Sequence, residues 1–560
     1  MTKNNLEKDL YQLMAGLYGP YELQELIPAL LKKVADFTPV SGKKGLDETD
    51  AILITYGNSI INHQDAPLQV LNQFVQEKLD NTIPTLHLLP CFPYSSDDGF
   101  SVIDYYKINP DLGDWDDIKA LKSHSSIMFD MVINHMSAQS DWFKAYLAGD
   151  EKYQDYFIEA DPSLDYSSVT RPRALPLLTS FSTREGTRHL WTTFSADQVD
   201  LNFRSPKVLC ESIDILLYYI QQGGAFIRLD AIGFAWKEMN TSCLHLPQTH
   251  ALIQVMRRIV DEVAPHVKLI TETNVPHKDN MSYFGNGHNE AHMIYQFPLP
   301  PLTLHTLHSG DATHMQNWLQ SLGEVSKTTS FFNFLSSHDG IGVRPVEGIL
   351  SKPEIDELIH IVQHNKGKVS FKDNGDGTQS PYELNINYFS AMQKDGDSQE
   401  LWIQRYMAAQ ALLLSLAGVP GIYIHSLLGS ENDISGVERL GYNRAINREK
   451  LDYATLMTQL EYKASKPYQV LSAFKHLLKI RQTQAAFAPH ASQRIVVKSP
   501  HCLSLVRDES LVVLINVTDQ AQSFDLSDMG VEVNYDLISQ QEKSAQICLA
   551  PYAVLWLIKH

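Results

Sequence analysis

Four apolar runs of the 560-residue chain end in ionisable side chains, and those ends are where chemistry could be done. One closes as Phe129-Asp130-Met131-Val132-Ile133-Asn134-His135, a second as Ile227-Arg228-Leu229-Asp230-Ala231. The others close as Leu269-Ile270-Thr271-Glu272-Thr273-Asn274 and Phe334-Leu335-Ser336-Ser337-His338-Asp339. A charge among such neighbours is costly to desolvate unless it is paired. Any one of these ends, taken singly, is equally a structural ion pair or a helix cap. Together they fit one reaction. Cleaving a glycosidic bond needs a carboxylate nucleophile, a carboxylic acid that donates a proton, and charge near an oxocarbenium-like transition state. Asp230, Glu272 and Asp339 supply three carboxyls on three different runs.

The elements that must hold these residues follow from the spacing of the apolar runs. Eight short runs, at 51–56, 85–90, 127–134, 226–230, 268–272, 292–297, 331–336 and 421–425, are separated by stretches most of which are long enough for a crossover helix. Runs of this kind read as parallel strands buried on both faces. Eight of them predict a (β/α)8 TIM barrel, an α/β fold whose chemistry sits at the carboxyl ends of the strands. Two gaps, after the third and seventh runs, exceed simple loops and are expected to be insertions over the barrel mouth. Beyond residue 475 the pattern turns to short alternating runs such as 494–497 and 511–515, which predict a small antiparallel β domain. The expected division is barrel over 1–136 with an N-terminal helical segment, an insertion over 137–197, and barrel over 198–339. A second insertion over 340–400, barrel over 401–475 and the C-terminal β domain over 476–560 complete it.

Charge and composition narrow the partners. With 46 Lys and Arg against 65 Asp and Glu, the net charge of -19 repels nucleic acid and anionic membrane surfaces, so a small molecule is the expected partner. Five cysteines, scattered and never in a CxxC arrangement, indicate neither a disulfide framework nor a zinc ribbon and fit a reducing, cytoplasmic setting. The N-terminal stretch mixes charges into a helical pattern and lacks the apolar core of a signal peptide. The apolar segment 407–428 is broken by Gly418-Val419-Pro420-Gly421 into pieces too short to span a bilayer, and reads as a buried helix, a turn and a buried strand. No phosphate-binding GxxxxGK[ST] loop or dinucleotide fingerprint occurs, so no nucleotide is implied, and no cofactor is expected. His288 and His292 lack the Glu of a metalloprotease motif, and Asp373-Asn-Gly-Asp-Gly lacks EF-hand spacing and reads as a turn; no metal is expected. Oligomeric state is left open, a homodimer being compatible with all of this.

The order Asn-His, Arg-x-Asp, Glu, His-Asp on successive runs resembles the α-amylase superfamily, glycoside hydrolase family 13, over nearly the whole chain. The resemblance implies that Asp230 attacks the anomeric carbon, that Glu272 is general acid and then base, and that Asp339 stabilises the transition state. Arg228, two residues before Asp230 and so on the same strand face, would hold the nucleophile ionised. His135 and His338 match histidines that contact glucose hydroxyls; a buried His bonded to a backbone carbonyl is the ordinary alternative for each.

Residues 89–105 (LPCFPYSSDDGFSVIDY), Arg171-Pro172-Arg173 and 338–343 (HDGIGV) look like the sucrose phosphorylase subfamily, whose glucose pocket is closed. By that likeness Asp97 and Arg444 grip the sugar, Phe100 and Phe194 give it apolar faces, and inorganic phosphate rather than water completes the reaction. Arg173 and Tyr382 are the implied phosphate residues, with Asn274, Gln198, Arg171 and Glu383 as further phosphate or acceptor contacts. The loops at 170–179, 188–194 and 271–280 look most like the glucosylglycerate phosphorylases, which implies cleavage of 2-O-α-glucosylglycerate to α-glucose 1-phosphate and glycerate. A carboxylate acceptor would want cations, and Arg171, Arg173, Arg188, His277 and Lys278 are available. Sucrose, sucrose 6'-phosphate and glucosylglycerol phosphorylases share the scaffold and stay open as alternatives. So do a hydrolytic α-glucosidase and a catalytically silent binding homologue, although none of the three carboxyls is missing.

Overall fold

A computed structural model describes residues 3–173, 175–323, 325–373 and 378–560. Eight parallel strands close a barrel. They are β1 (Ile52–Thr55), β2 (Thr85–Leu88), β3 (Ser126–Met131), β4 (Gly224–Leu229), β5 (Lys268–Thr271), β6 (Met293–Tyr295), β7 (Ser330–Phe334) and β8 (Val419–Tyr423). Each pairs with the next in chain order, and β8 returns to β1 through Ile52 opposite Gly421. Every residue of β1, β2, β6, β7 and β8 is buried, because one face of the pleat fills the barrel and the other packs under helices. Pro67, Pro206 and Pro247 open three of the crossover helices, where a missing N–H costs nothing.

The strands stop a few residues short of several expected ends, and this decides where the ionisable groups stand. β3 ends at Met131, and Val132–Asn134 bend the chain outward so that His135–Ser137 pairs antiparallel with Gln198–Asp200. Arg228 lies within β4, whereas Asp230 and Glu272 each stand one residue beyond a strand end. The last strand departs most from expectation. It begins at Val419 and carries Pro420 within it, and His425 lies in a helical turn, Ile424–Leu427, rather than in the strand. The turn before it is confined to 416–418, where Gly418 has φ 126° and a Cβ would meet the Phe331 carbonyl at 2.8 Å.

Between β3 and β4 the chain also forms a hairpin, Leu178–Thr183 with Gly186–Trp191. Between β7 and β8, Ile341–Gly342, Gln379–Asn385 and Lys368–Asp373 form a three-stranded sheet beside the helix Lys352–His364. The turn expected over Asp373-Asn-Gly-Asp-Gly falls largely on residues 374–377, outside the described residues. A six-stranded antiparallel sheet follows near the C-terminus, from Gln493–Ile495 to Val554–Ile558. It is pinned to the barrel by Arg507 Nη1, which donates to the Ser415 carbonyl at 2.6 Å, and by Trp556 Nε1, which donates to Ser415 Oγ at 2.9 Å. The five cysteines are free thiols. Among the described residues no helix is long and apolar enough to cross a membrane.

Candidate active site

Arg228 organises the floor of the cavity at the carboxyl ends of the strands. Residues 228 and 230 share one side of the pleat, so the guanidinium and the Asp230 carboxyl rise together. Arg228 Nη1 donates to Asp230 Oδ1 at 2.6 Å and also to Asp130 Oδ1 on the neighbouring β3. Its Nε donates to Tyr295 Oη at 3.0 Å, and Nη2 stands 3.8 Å from Glu272 Oε2. Asp130 is held from the far side by His87 Nε2 at 2.7 Å. Five strands thus converge on one planar cation that is only 2 % exposed. Ala231 takes a left-handed backbone conformation, φ 47°, and its N–H donates to Glu272 Oε2 at 3.1 Å. A strained turn of this kind, held by the packing around it, aims a backbone donor at the second carboxyl.

Burial raises the Asp230 carboxyl; Arg228 opposes this, and the neighbouring Glu272 charge raises it further. Burial likewise raises Glu272, against Arg228 and with the Asp339 charge. The expectation that Arg228 alone keeps Asp230 ionised is therefore incomplete. The two carboxyls titrate as a pair that retains one proton to higher pH than an isolated carboxylate would.

Asp339 behaves oppositely. Burial would raise it, but Arg444, aided by His338 and Arg448, holds it well below the usual carboxylate range. Arg444 Nη1 lies 2.5 Å from Asp339 Oδ1, and Nη2 lies 3.1 Å from Glu383 Oε1. His338 stacks on Phe100 with centroids 4.7 Å apart and 4° between planes. Burial lowers His338 to about 3, so it is neutral. Arg448 donates to the His338 carbonyl at 2.8 Å and to Asp98 Oδ2 at 2.6 Å. Asp97 and Asp98 both have positive φ, 53° and 48°, so this loop is wound tightly enough to turn Asp97 inward. Asp97 accepts from Arg173 Nη2 at 2.8 Å; burial would raise it, but Arg173, Arg444 and Arg448 hold it far down. The Tyr382 hydroxyl is pushed up to about 12 by burial and by Glu383.

One cavity is lined by Asp97, Phe100, His135, Arg173, Phe194, Gln198, Arg228, Asp230, Glu272, Asn274, His338, Asp339, Tyr382, Glu383 and Arg444. These are the site residues read from the sequence, with one exception. Arg171 is exposed and lies outside the lining. Arg188 is spent on Glu159 and Glu185 at the surface, and His277 and Lys278 line neither this cavity nor the one beside it. His135 donates from Nε2 to the Phe100 carbonyl at 2.8 Å, the ordinary fate of a buried histidine, and still borders the cavity. The supports His87, Asp130, Tyr295 and Arg448 escaped sequence reading. Asp130 and His87 carried a signal, each being an ionisable residue inside an apolar strand. His292, set aside as a metal ligand, accepts at Nδ1 from the Leu269 N–H at 3.0 Å. Away from the cavity, His305, His314 and Glu354 bring one ligand atom each within 4.8 Å of one another, and His314 and Glu354 already pair at 2.9 Å.

Three carboxyls ringed by guanidinium groups at the mouth of a closed parallel barrel define an enzyme of glycosidic-bond chemistry. Residues 79–364 match the family model described as alpha amylase, catalytic domain, and the chain belongs to that family. It is 44 % identical over 561 residues, 99 % of this chain and 100 % of the relative, to a glucosylglycerate phosphorylase of Escherichia coli (strain K12). It is also 44 % identical over 562 residues, 99 % of each, to a glucosylglycerate phosphorylase of Allomeiothermus silvanus. The crystal structure of sucrose 6F-phosphate phosphorylase from Thermoanaerobacter thermosaccharolyticum shares the fold, with a TM-score of 0.73 at 24 % identity over 85 % of this chain and 95 % of that one.

Proposed function

We propose that the protein is a glucosylglycerate phosphorylase, moving a glucosyl group from 2-O-α-glucosylglycerate to inorganic phosphate with retention of configuration. The observation that carries the chemistry is the unequal grip of Arg228, 2.6 Å from Asp230 and 3.8 Å from Glu272. Of a carboxyl pair sharing one proton, the member bonded to the guanidinium keeps the charge and the other keeps the proton. Asp230 is then the nucleophile and Glu272 the acid.

In the first step Asp230 forms an ester bond to the anomeric carbon as the bond to glycerate O2 breaks, and Glu272 passes its proton to that oxygen. In the second, a phosphate oxygen gives its proton to Glu272 and bonds to the anomeric carbon, expelling Asp230 and releasing α-glucose 1-phosphate. Asp339, held ionised by Arg444, faces the positive charge that develops on the sugar in both steps. Arg173 and Tyr382 are the groups on hand for phosphate. Full-length similarity to glucosylglycerate phosphorylases supports this reading over the sucrose and glucosylglycerol enzymes. The free thiols fit a cytoplasmic setting, and the acidic surface fits a small-molecule substrate rather than nucleic acid.

The test is incubation with 2-O-α-glucosylglycerate in the presence and absence of phosphate. Phosphate-dependent glucose 1-phosphate is expected. Free glucose formed equally without phosphate would mark a hydrolytic α-glucosidase instead.

A further inference from the structure

A second cavity opens beside the first and shares Phe194, Glu272, Asn274 and Tyr382 with it. Glu272 stands on the border, so a group whose leaving oxygen Glu272 protonates occupies this second space. Arg344 is the single basic residue among the described residues that line it. Among the described residues it has no ion pair, and its Nε is buried without a hydrogen-bond partner. Elsewhere in the site the cations are neutralised: Arg228 by Asp130 and Asp230, Arg173 by Asp97, Arg444 by Asp339 and Glu383. His245, close enough for Arg344 to act on it, is brought down to about 4 by burial first and is neutral.

Arg344 does not reach the cavity by accident of a loose loop. It follows the short strand Ile341–Gly342, which pairs with Glu383 and Leu384, and the Val343 N–H donates to the Tyr382 carbonyl at 3.2 Å. Gly342 packs so closely that a Cβ there would stand 2.9 Å from the Asn274 amide. The Asn274 Oδ1 atom is itself buried without a donor among the described residues. An unpaired guanidinium and an unfilled amide oxygen in one small space are costly unless a ligand completes them.

We infer that Arg344 is the carboxylate anchor of the acceptor subsite, with Asn274 Oδ1 accepting from a hydroxyl of the same acceptor. The ligand class is a small hydroxy acid, whose carboxylate meets the guanidinium fork while its glycosidic oxygen meets Glu272. This rests on the phosphorylase reading and adds to it the residue that separates glycerate from its neutral counterpart, glycerol. Inorganic phosphate is an anion of related chemistry, and the assay separates the two.

Wild type, R344Q and R344K are assayed in the synthetic direction with glucose 1-phosphate as donor and D-glycerate or glycerol as acceptor. The phosphate KM is measured in the phosphorolytic direction. Losing a charge-assisted pair predicts that the glycerate-to-glycerol ratio of kcat/KM falls about 10- to 100-fold in R344Q. R344K, a point charge without the fork, is expected between the two. An unchanged ratio in either variant overturns the assignment. So does a rise in phosphate KM with the ratio preserved, which would make the bound anion phosphate. Absence of glucosyl transfer to every acceptor by the wild type would overturn the phosphorylase reading itself, and the anchor with it.

Discussion

Arg173 and Asp97 are bonded to each other, Nη2 to Oδ2 at 2.8 Å, although the resemblance casts one for phosphate and the other for glucose. The pair joins the loop after β2 to the insertion after β3, so whatever sugar or phosphate takes up either residue is felt by the other. Residues in direct contact couple by about 0.5–3 kcal/mol. The expected result of a D97N/R173Q double-mutant cycle on kcat/KM for phosphorolysis is two large single losses and a double loss well short of their sum. Strict additivity would mean that the contact carries nothing in the reaction.

Arg228→Lys should retain charge and lose function. An ammonium cannot serve Asp130, Asp230 and Tyr295 at once from fixed angles, and Glu272 then loses the asymmetry that assigns it the proton. A fall of about 10²- to 10³-fold in kcat is expected, the size seen when one preorganised donor is removed. The pH profile of kcat/KM should change shape at the same time, because the carboxyl pair no longer titrates around a guanidinium. A parallel drop with an unaltered profile would assign Arg228 to packing alone. Arg228→Ala should also destabilise the fold by about 3–5 kcal/mol, since Asp130 is left buried with only His87 for company.

Glu272→Gln and Asp230→Asn separate the two carboxyls by leaving group. Removing a general acid costs about 10²- to 10⁴-fold when the departing oxygen needs a proton. Glucosylglycerate should suffer that loss in E272Q, whereas α-glucosyl fluoride, whose leaving group needs none, should be turned over at a rate much closer to wild type. D230N should lose both. Equal losses on the two substrates in E272Q would contradict its assignment as the acid.

The barrel was legible because strands buried on both faces leave continuous apolar runs, and the three carboxyls because each closes such a run. The ends of strands were less so: Pro420 reads as a break, yet it lies within β8, since a barrel strand is held by its neighbours on both sides and not by local propensity. What escaped was long-range pairing. Nothing local in Arg448 says that it holds His338 and Asp98, or in Arg173 that Asp97 neutralises it. Arg344 follows directly on a stretch with family likeness, but Arg-Pro-Val looks like an ordinary turn, and only the cavity beside Glu272 gives it a ligand to meet.

Four buried histidines should weaken the fold in acid before Asp97 and Asp339 are titrated. Burial lowers His338 and His425 to about 3 and His308 and His245 to about 4. In the unfolded chain a histidine takes its proton near 6.5, so between that value and about 4 the unfolded state binds protons that the native state refuses. Stability from these residues is therefore full above 6.5 and lost as pH falls through that window. Each group removes about 1.4 kcal/mol per pH unit at most. Asp97 and Asp339 act in a different window: held low in the fold, they stabilise it above the ordinary aspartate value near 4 and lose that contribution only below it. Urea midpoints measured from pH 7 to 4.5 thus report the histidines together with the Asp230–Glu272 pair, whose retained proton stabilises the fold with the opposite sign over the same window, and carry little from Asp97 and Asp339. His425 lies outside the cavity lining, with Nδ1 on Ser430 Oγ at 3.0 Å. His425→Gln should flatten the acid slope by up to one proton's worth; an identical slope in the variant would show that His425 is protonated in the native state.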